Sequence, residues 1–323
     1  MISASPLRKI FRFTPLLVVS GILLLSVIPT AQAAPATRPN MVLIMADDLG
    51  FSDLGCYGSE IKTPNLDQMA NEGLRFKRFY NAGRCCPTRA SLMTGLYPHQ
   101  AGMGWMNRND NLPGYQGELG KNCVSIAEVL SAADYRCYHV GKWHLTYRMR
   151  EANENWPLGR GFDRAYGTGG GGNYFAPRPL YEDNQLIKPP KTGYYITDAF
   201  SDRAVDYLKD HAEQHKAEPF FMYLAYTAPH FPLHALPEDI ARYKGEYQGG
   251  WDALRKQRHQ SMQQLGLINC PLSPRDPDAQ AWEGLSEKER EEWDLRMAVY
   301  AAMVTSMDRG IGQVLKQIEQ MGQ

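Results

Sequence analysis

The stretch MVLIMADD (residues 41–48) decides the fold class. Its first six residues form an unbroken apolar run, which is typical of a strand buried on both faces. Asp47 and Asp48 follow at once, and two adjacent carboxylates repel each other unless a cation lies between them. Carboxylate oxygens suit Ca²⁺ or Mg²⁺. A solvated Asp-Asp turn is the alternative interpretation.

Two further apolar segments end in polar residues. Residues 137–140 lead into Gly-Lys-Trp-His (141–144), and residues 220–226 lead into Thr-Ala-Pro-His (227–230). Helical patterns lie between and after the strands. They are predicted to begin at Thr63-Pro64, Ser125, Thr197 and Leu295, the last running to about Gln320. This alternation predicts an α/β fold with a mainly parallel central sheet flanked by helices, and a site at the C-terminal ends of the strands.

Two regions are predicted to be less regular. Residues 160–195 are rich in glycine, proline and aromatics, which favours a long irregular loop with a hairpin near Asp183-Asn184. Residues 232–290 are polar and contain proline, which favours short helices in a surface excursion. The run Gly169–Gly172 lacks the Lys-Ser/Thr of a phosphate-binding loop, so we interpret it as flexible.

The N-terminus has the layout of a secretory signal peptide. Three basic residues precede an apolar run over residues 15–28, and the small-x-small pattern Ala-Gln-Ala follows at residues 31–33. Roughly 14 apolar residues are too few to span a bilayer, so no stable membrane insertion is expected. We therefore predict that residues 1–33 are cleaved and that the protein is exported, either periplasmic or secreted. In an oxidising compartment some of the six cysteines could pair.

Charge excludes one class of partner. Lys+Arg and Asp+Glu are both 35, so the chain has no bulk positive charge and a nucleic-acid partner is not expected.

The segment CCPTR (85–89) offers a possible reactive group. Pro87 suits a first helical turn, so Cys85 would lie at a helix N-terminus, where backbone N–H groups favour an anion. Arg89, one turn later, could direct a second positive group to the same place. The alternative is a structural cysteine pair with a surface arginine.

Two histidines and a lysine complete the candidates. Lys142 and His144 are two residues apart, so on an extended segment they point the same way. A Trp-anchored loop with a surface lysine is the alternative for them. His230, taken alone, is more often a core histidine.

Together these segments resemble the type I sulfatase family of arylsulfatase type, over nearly all of the chain after the leader. The blocks that carry the resemblance are PNMVLIMADDLG (39–50), CCPTR (85–89) with LMTG (92–95), GKWHL (141–145), GFD (161–163), TAPH (227–230) and YAAM (300–303) with Met307-Asp308. The resemblance implies an alkaline-phosphatase-like fold, with residues 34–323 as the catalytic domain. It also implies hydrolysis of sulfate monoesters, with a sulfated small molecule or a sulfated polysaccharide as substrate.

The resemblance assigns a cofactor and a modification. Cys85 is expected to be oxidised to formylglycine by a separate maturation enzyme, and Asp47, Asp48 and residue 85 are expected to bind Ca²⁺. A hydrated aldehyde carries two hydroxyls on one carbon. One attacks sulfur and the other later expels sulfate.

The remaining roles also follow from the resemblance. Arg89 matches the residue that steadies the modified side chain, and His144 matches the residue that hydrogen-bonds its hydroxyl. Lys142 and His230 match sulfate-contacting residues, and His230 would also donate a proton to the leaving oxygen.

The sequence departs from the family pattern after its last helix. In the family another strand follows, with an Asp-Asn-Gly pair of calcium ligands and a second sulfate-contacting lysine. Asp110-Asn111 and Asp183-Asn184 follow no apolar strand, so neither is a substitute. We therefore expect the C-terminal part of the fold to be missing and the chain to be a fragment of a longer reading frame. The alternatives are a phosphomonoester or phosphonate hydrolase of the same superfamily and an inactive truncated fragment.

Overall fold

The computed structural model describes residues 38–323, in which a six-stranded sheet lies between helices. The predicted signal peptide lies outside the described residues. The strands are β1 (Met41–Met45), β2 (Arg136–Lys142), β3 (Arg164–Thr168), β4 (Leu180–Glu182), β5 (Gln185–Ile187) and β6 (Phe220–Ala225). Their order across the sheet is β1-β6-β2-β3-β4-β5. The first four strands are parallel and the last two are antiparallel. The predicted mainly parallel sheet is confirmed.

Helices cover both faces of this sheet. They are α1 (Pro64–Glu72), α2 (Cys85–Thr94), α3 (Ile126–Ser131), α4 (Ile196–Gln214), α5 (Pro237–Ile240), α6 (Gly250–Gln264) and α7 (Glu287–Gln320). Two starts differ from the prediction. Helix α4 is preceded by Tyr195 rather than capped by Thr197. Helix α7 begins well before Leu295, because Ser286 and Glu289 form a capping box that starts the helix at Glu287.

The central strand β6 separates two apolar layers. Met222 and Leu224 face a cluster that includes helices α4 and α7, whereas Phe221 and Tyr223 face a second cluster that includes α2. All of these side chains are at most 1% exposed. A strand buried on both faces has no polar alternation, which is why its sequence is an unbroken apolar run.

The prediction of a long irregular loop over residues 160–195 is wrong in part. Strand β3 lies inside that range and pairs in parallel with β2, with Gly167 opposite Gly141. A Cβ on Gly167 would lie only 1.9 Å from the Gly141 carbonyl oxygen, so glycine there permits the close approach of the two strands. The hairpin predicted near Asp183-Asn184 is confirmed as the β4–β5 turn.

Cysteine pairing and membrane insertion can be examined within residues 38–323. All six cysteines are free there. None of the helices in that range is long and apolar enough to cross a membrane.

Candidate active site

The predicted site residues meet where the parallel strands end. The backbone N–H of Asp47 donates to the Ala228 carbonyl over 3.0 Å, and the N–H of Tyr226 donates to the Met45 carbonyl over 2.8 Å. The pairing of β1 with β6 therefore continues past both strands. As a result, Asp47 lies beside the turn that carries His230.

Asp47 is buried between two cations. The ammonium of Lys142 contacts one of its carboxylate oxygens, and the Nη2 of Arg89 lies 3.3 Å from the other. The side chains of Lys142 and Arg89 are fully buried. Burial by itself would raise the pKa of Asp47, but Arg89 and Lys142 outweigh burial and hold the pKa below its usual range. The carboxylate is therefore ionised.

Helix α2 presents Cys85 to this group. Cys85 is the first helical residue, as predicted, and is partly exposed, whereas Cys86 is fully buried. Burial raises the pKa of Cys86 to about 11, so that thiol stays neutral and is not a reactive group. One turn later, Arg89 Nη1 donates to the Lys142 carbonyl over 2.8 Å and to the Tyr223 hydroxyl over 3.1 Å. Arg89 thus joins α2 to two strands of the sheet.

Asp47, Cys85 and His230 form a compact group of possible ligands. One donor atom from each lies within 4.8 Å of the other two. His230 Nε2 also lies 3.6 Å from Asp48 Oδ2, and the Asp48 side chain is 59% exposed. Interaction with Cys85 is the largest influence on the pKa of His230 and raises it above its usual value, although burial opposes the shift.

The donor set can be tested against a calcium ion. Asp47 and Asp48 offer carboxylate oxygens, which hard cations prefer. The sulfur of unmodified Cys85 is a soft donor and does not suit calcium. The two aspartates and an oxygen on residue 85, as in formylglycine, would therefore suit calcium, whereas the nitrogen of His230 would not.

His144 lies in the same site in a neutral form. It is 8% exposed and has a left-handed backbone with φ of 56°. Burial, reinforced by Lys142 and Arg89, lowers the pKa of His144 to about 3. Its buried Nδ1 has no hydrogen-bond partner among the described residues. A neutral imidazole can accept or donate one hydrogen bond, which suits a contact with a hydroxyl.

Sequence reasoning missed two tyrosines that support the site. Tyr223 contacts Arg89 from β6, and only the side-chain alternation of that strand could have indicated its direction. The Tyr174 hydroxyl lies 2.9 Å from the Thr227 carbonyl oxygen and 2.8 Å from that of His230. Tyr174 sits in a loop with no periodic pattern, so no local signal pointed to it.

Comparison with known proteins now identifies the family. The sulfatase family model matches residues 39–323. The chain belongs to the sulfatase family. An uncharacterised sulfatase of Schizosaccharomyces pombe is 36% identical to the chain over 319 residues, and the match covers 90% of the chain and 56% of that protein. The arylsulfatase of Klebsiella aerogenes is 34% identical over 309 residues, covering 90% of the chain and 65% of the arylsulfatase.

A solved structure agrees with the family assignment. The crystal structure of Ps i-CgsB in complex with k-i-k-neocarrahexaose superimposes with a TM-score of 0.64 at 30% identity. The match covers 88% of the chain and 56% of Ps i-CgsB. The sulfatase therefore has the expected alkaline-phosphatase-like fold, and it spans less than two thirds of the length of each relative described. The predicted site residues are brought together, while their individual roles stay predictions.

Proposed function

We propose that this sulfatase hydrolyses sulfate monoesters through a formylglycine formed from Cys85, with Ca²⁺ bound by Asp47 and Asp48. The observation that carries the proposal is the group formed by Asp47, Cys85 and His230, whose donor atoms lie within 4.8 Å of one another. The side chains of Arg89 and Lys142 contact the Asp47 carboxylate of this group and are fully buried. A nucleophile, a proton donor and cations thus lie in one place.

The modified residue and the metal supply chemistry that the encoded side chains lack. A formylglycine hydrate offers one hydroxyl to attack sulfur and a second to expel sulfate, and calcium would offset negative charge on the sulfuryl oxygens. Lys142 and Arg89 add fixed positive charge near the sulfuryl oxygens and would stabilise the same negative charge.

His230 and His144 have different roles in the proposed reaction. A ring nitrogen of His230 lies within 4.8 Å of the donor atoms of Asp47 and Cys85, a position that suits a proton donor to the leaving oxygen. His144 is neutral, so it can hold the hydroxyl of residue 85 by a hydrogen bond without adding charge.

The substrate class and location follow as parts of the same proposal. An oligosaccharide bound to Ps i-CgsB favours a sulfated saccharide as the substrate here, with small aryl sulfates as convenient analogues. The signal-like leader supports export, either to the periplasm or out of the cell. A maturation enzyme that oxidises Cys85 would be the necessary partner.

The proposal is tested by maturation and turnover together. The chain is co-expressed with a formylglycine-generating enzyme, and the mass of the peptide that contains residue 85 is measured by mass spectrometry. Conversion of thiol to aldehyde should remove about 18 Da. Hydrolysis of an aryl sulfate is then compared between the parent, Cys85→Ala and Cys86→Ala. Loss of turnover in Cys85→Ala with partial retention in Cys86→Ala is expected. Equal loss in both variants, or faster hydrolysis of the matching aryl phosphate, would overturn the proposal.

A further inference from the structure

The glycine run after β3 lies against the two histidines of the site. A Cβ added to Gly170 would lie 3.7 Å from His144 Nε2, an ordinary contact. A Cβ added to Gly171 would lie 2.9 Å from both Cε1 and Nδ1 of His230. Real Cβ atoms essentially never approach that closely, so a side chain at 171 would displace the imidazole.

Gly172 provides a contrast within the same run. A Cβ there would meet nothing within 4 Å. Neither Gly171 nor Gly172 has a left-handed φ, so alanine is compatible with the backbone at both positions. The difference between them is therefore the space beside His230.

The same segment also holds the backbone of His230. Tyr174 is 1% exposed, and its hydroxyl is within hydrogen-bond distance of the carbonyl oxygens of Thr227 and His230. Those two carbonyls belong to the turn that carries the imidazole. Gly171 thus lies beside the ring of His230 with no room for a side chain, while the Tyr174 hydroxyl contacts the main chain of His230.

We infer that Gly171 and Tyr174 are positioning residues for His230, which makes this part of the loop a fixed wall of the active site. The inference rests on the proposed function, because His230 is there the donor to the leaving oxygen. It differs from the interpretation of the glycine run as a flexible loop, which stays a prediction. Side chains are excluded at Gly171 because the imidazole occupies their place.

The test begins with a readout that does not depend on turnover. The chain is labelled with ¹³C in its histidine rings, and ring signals are recorded by NMR at one fixed pH, with His230→Gln assigning the His230 signal. Gly171→Ala should shift or broaden that signal, whereas Gly172→Ala should leave it in place. An unchanged signal in Gly171→Ala, or equal changes in both variants, would overturn the inference.

Turnover of an aryl sulfate by the matured chain supplies the second readout. A misplaced donor slows the chemical step, so Gly171→Ala should lower kcat by roughly tenfold to a hundredfold while KM changes less than about twofold. Gly172→Ala should keep both constants within about twofold. Parent-like kcat in Gly171→Ala, despite a shifted ring signal, would also overturn the inference.

Tyr174→Phe keeps the test decisive if Gly171→Ala does not fold. This variant removes the hydroxyl but keeps the ring, and should change the His230 signal and lower kcat. Tyr166→Phe, which loses a hydroxyl contact to Tyr194 instead, is the matched control and should do neither. A parent chain that turns over no sulfate ester would refute the proposed function, while the ring signal would still decide whether Gly171 and Tyr174 place His230.

Discussion

Arg89 Nη2 lies 3.3 Å from Asp47 Oδ1, and both side chains are buried. Because Lys142 contacts the other oxygen of Asp47, two cations face one carboxylate in a place that water does not reach. The surplus positive charge favours an anion in front of them. The contacts that hold helix α2 to the sheet would therefore also favour the anionic substrate that we propose.

Replacing Arg89 by methionine should lower the free energy of unfolding by about 3–5 kcal/mol, because it removes one partner of a buried ion pair. Urea denaturation monitored by circular dichroism measures the change. Arg108→Met is the control, since Arg108 pairs with Asp110 at the surface, and its stability should match the parent. Similar stability of the two variants would show that the buried pair contributes little.

The two adjacent aspartates should respond differently to amidation. Asp48→Asn changes an exposed carboxylate, so it should weaken Ca²⁺ binding, measured by calorimetry, with little loss of stability without calcium. Asp47→Asn should weaken binding and also destabilise the calcium-free protein, because Arg89 and Lys142 lose their buried counter-charge. Unchanged calcium affinity in both variants would show that Asp47 and Asp48 form a turn and do not bind calcium.

His139 should make stability depend on pH. It is fully buried, and burial, followed by the charge of Arg89, lowers its pKa to about 3. The unfolded chain, with a histidine pKa of about 6.5, therefore binds a proton that the folded protein does not. The contribution is present above pH 6.5 and is lost as the pH falls toward 3, by about 2 kcal/mol between pH 7 and pH 5.

Urea denaturation at pH 7 and pH 5 checks this prediction. His139→Phe should lose about 2 kcal/mol less than the parent over that interval, because phenylalanine has no proton to gain. His99→Gln, a substitution at an exposed histidine, controls for the loss of a histidine elsewhere. A parent-like pH dependence in His139→Phe would contradict the burial argument.

Local patterns predicted the parts of the fold that local forces determine. The run 220–226 is apolar without interruption because both faces of its strand are covered, so that strand could be read directly. The run 41–46 also forms a strand and packs against both apolar clusters, but it is not the fully buried strand that its sequence predicted. It lies at the edge of the sheet and its residues stay partly exposed. Strand β3 could not be read directly, since its Arg-Ala-Tyr-Gly-Thr sequence is short and its pairing depends on the close approach of Gly167 to Gly141.

The candidate site likewise contains residues that the sequence could indicate and contacts that it could not. Asp47 and His230 come after strands and Lys142 is the last residue of one, so topology brings them together and sequence could find them. The contacts of Tyr174 with the His230 turn, by contrast, join segments more than fifty residues apart. No periodicity within either segment encodes such a contact, so only the folded arrangement reveals it.

Helix α6 lies in the excursion that the sequence placed at the surface, yet it reaches back to the turn after β1. Arg258 on α6 contacts Asp53 and Glu60, and its side chain is 12% exposed. Asp53 in turn accepts a hydrogen bond from the Gly50 N–H over 2.8 Å and one from the Tyr300 hydroxyl over 2.6 Å. Arg258 therefore braces the segment that begins with the two aspartates.

Arg258→Met should destabilise the protein and loosen that segment. Two acidic partners would lose their cation in a largely buried place, which costs roughly 3 kcal/mol or more of unfolding free energy. Arg255→Met on the same helix is the matched control, because within residues 38–323 Arg255 binds the carbonyls and hydroxyl of an exposed loop and no acidic side chain. Urea denaturation should show a lower free energy of unfolding for Arg258→Met than for Arg255→Met.

Hydrogen exchange should rise at the Gly50 and Asp53 amides in Arg258→Met alone, since their hydrogen bonds depend on the turn that Arg258 holds. Equal exchange in both variants would mean that the turn after β1 keeps its shape without help from the excursion.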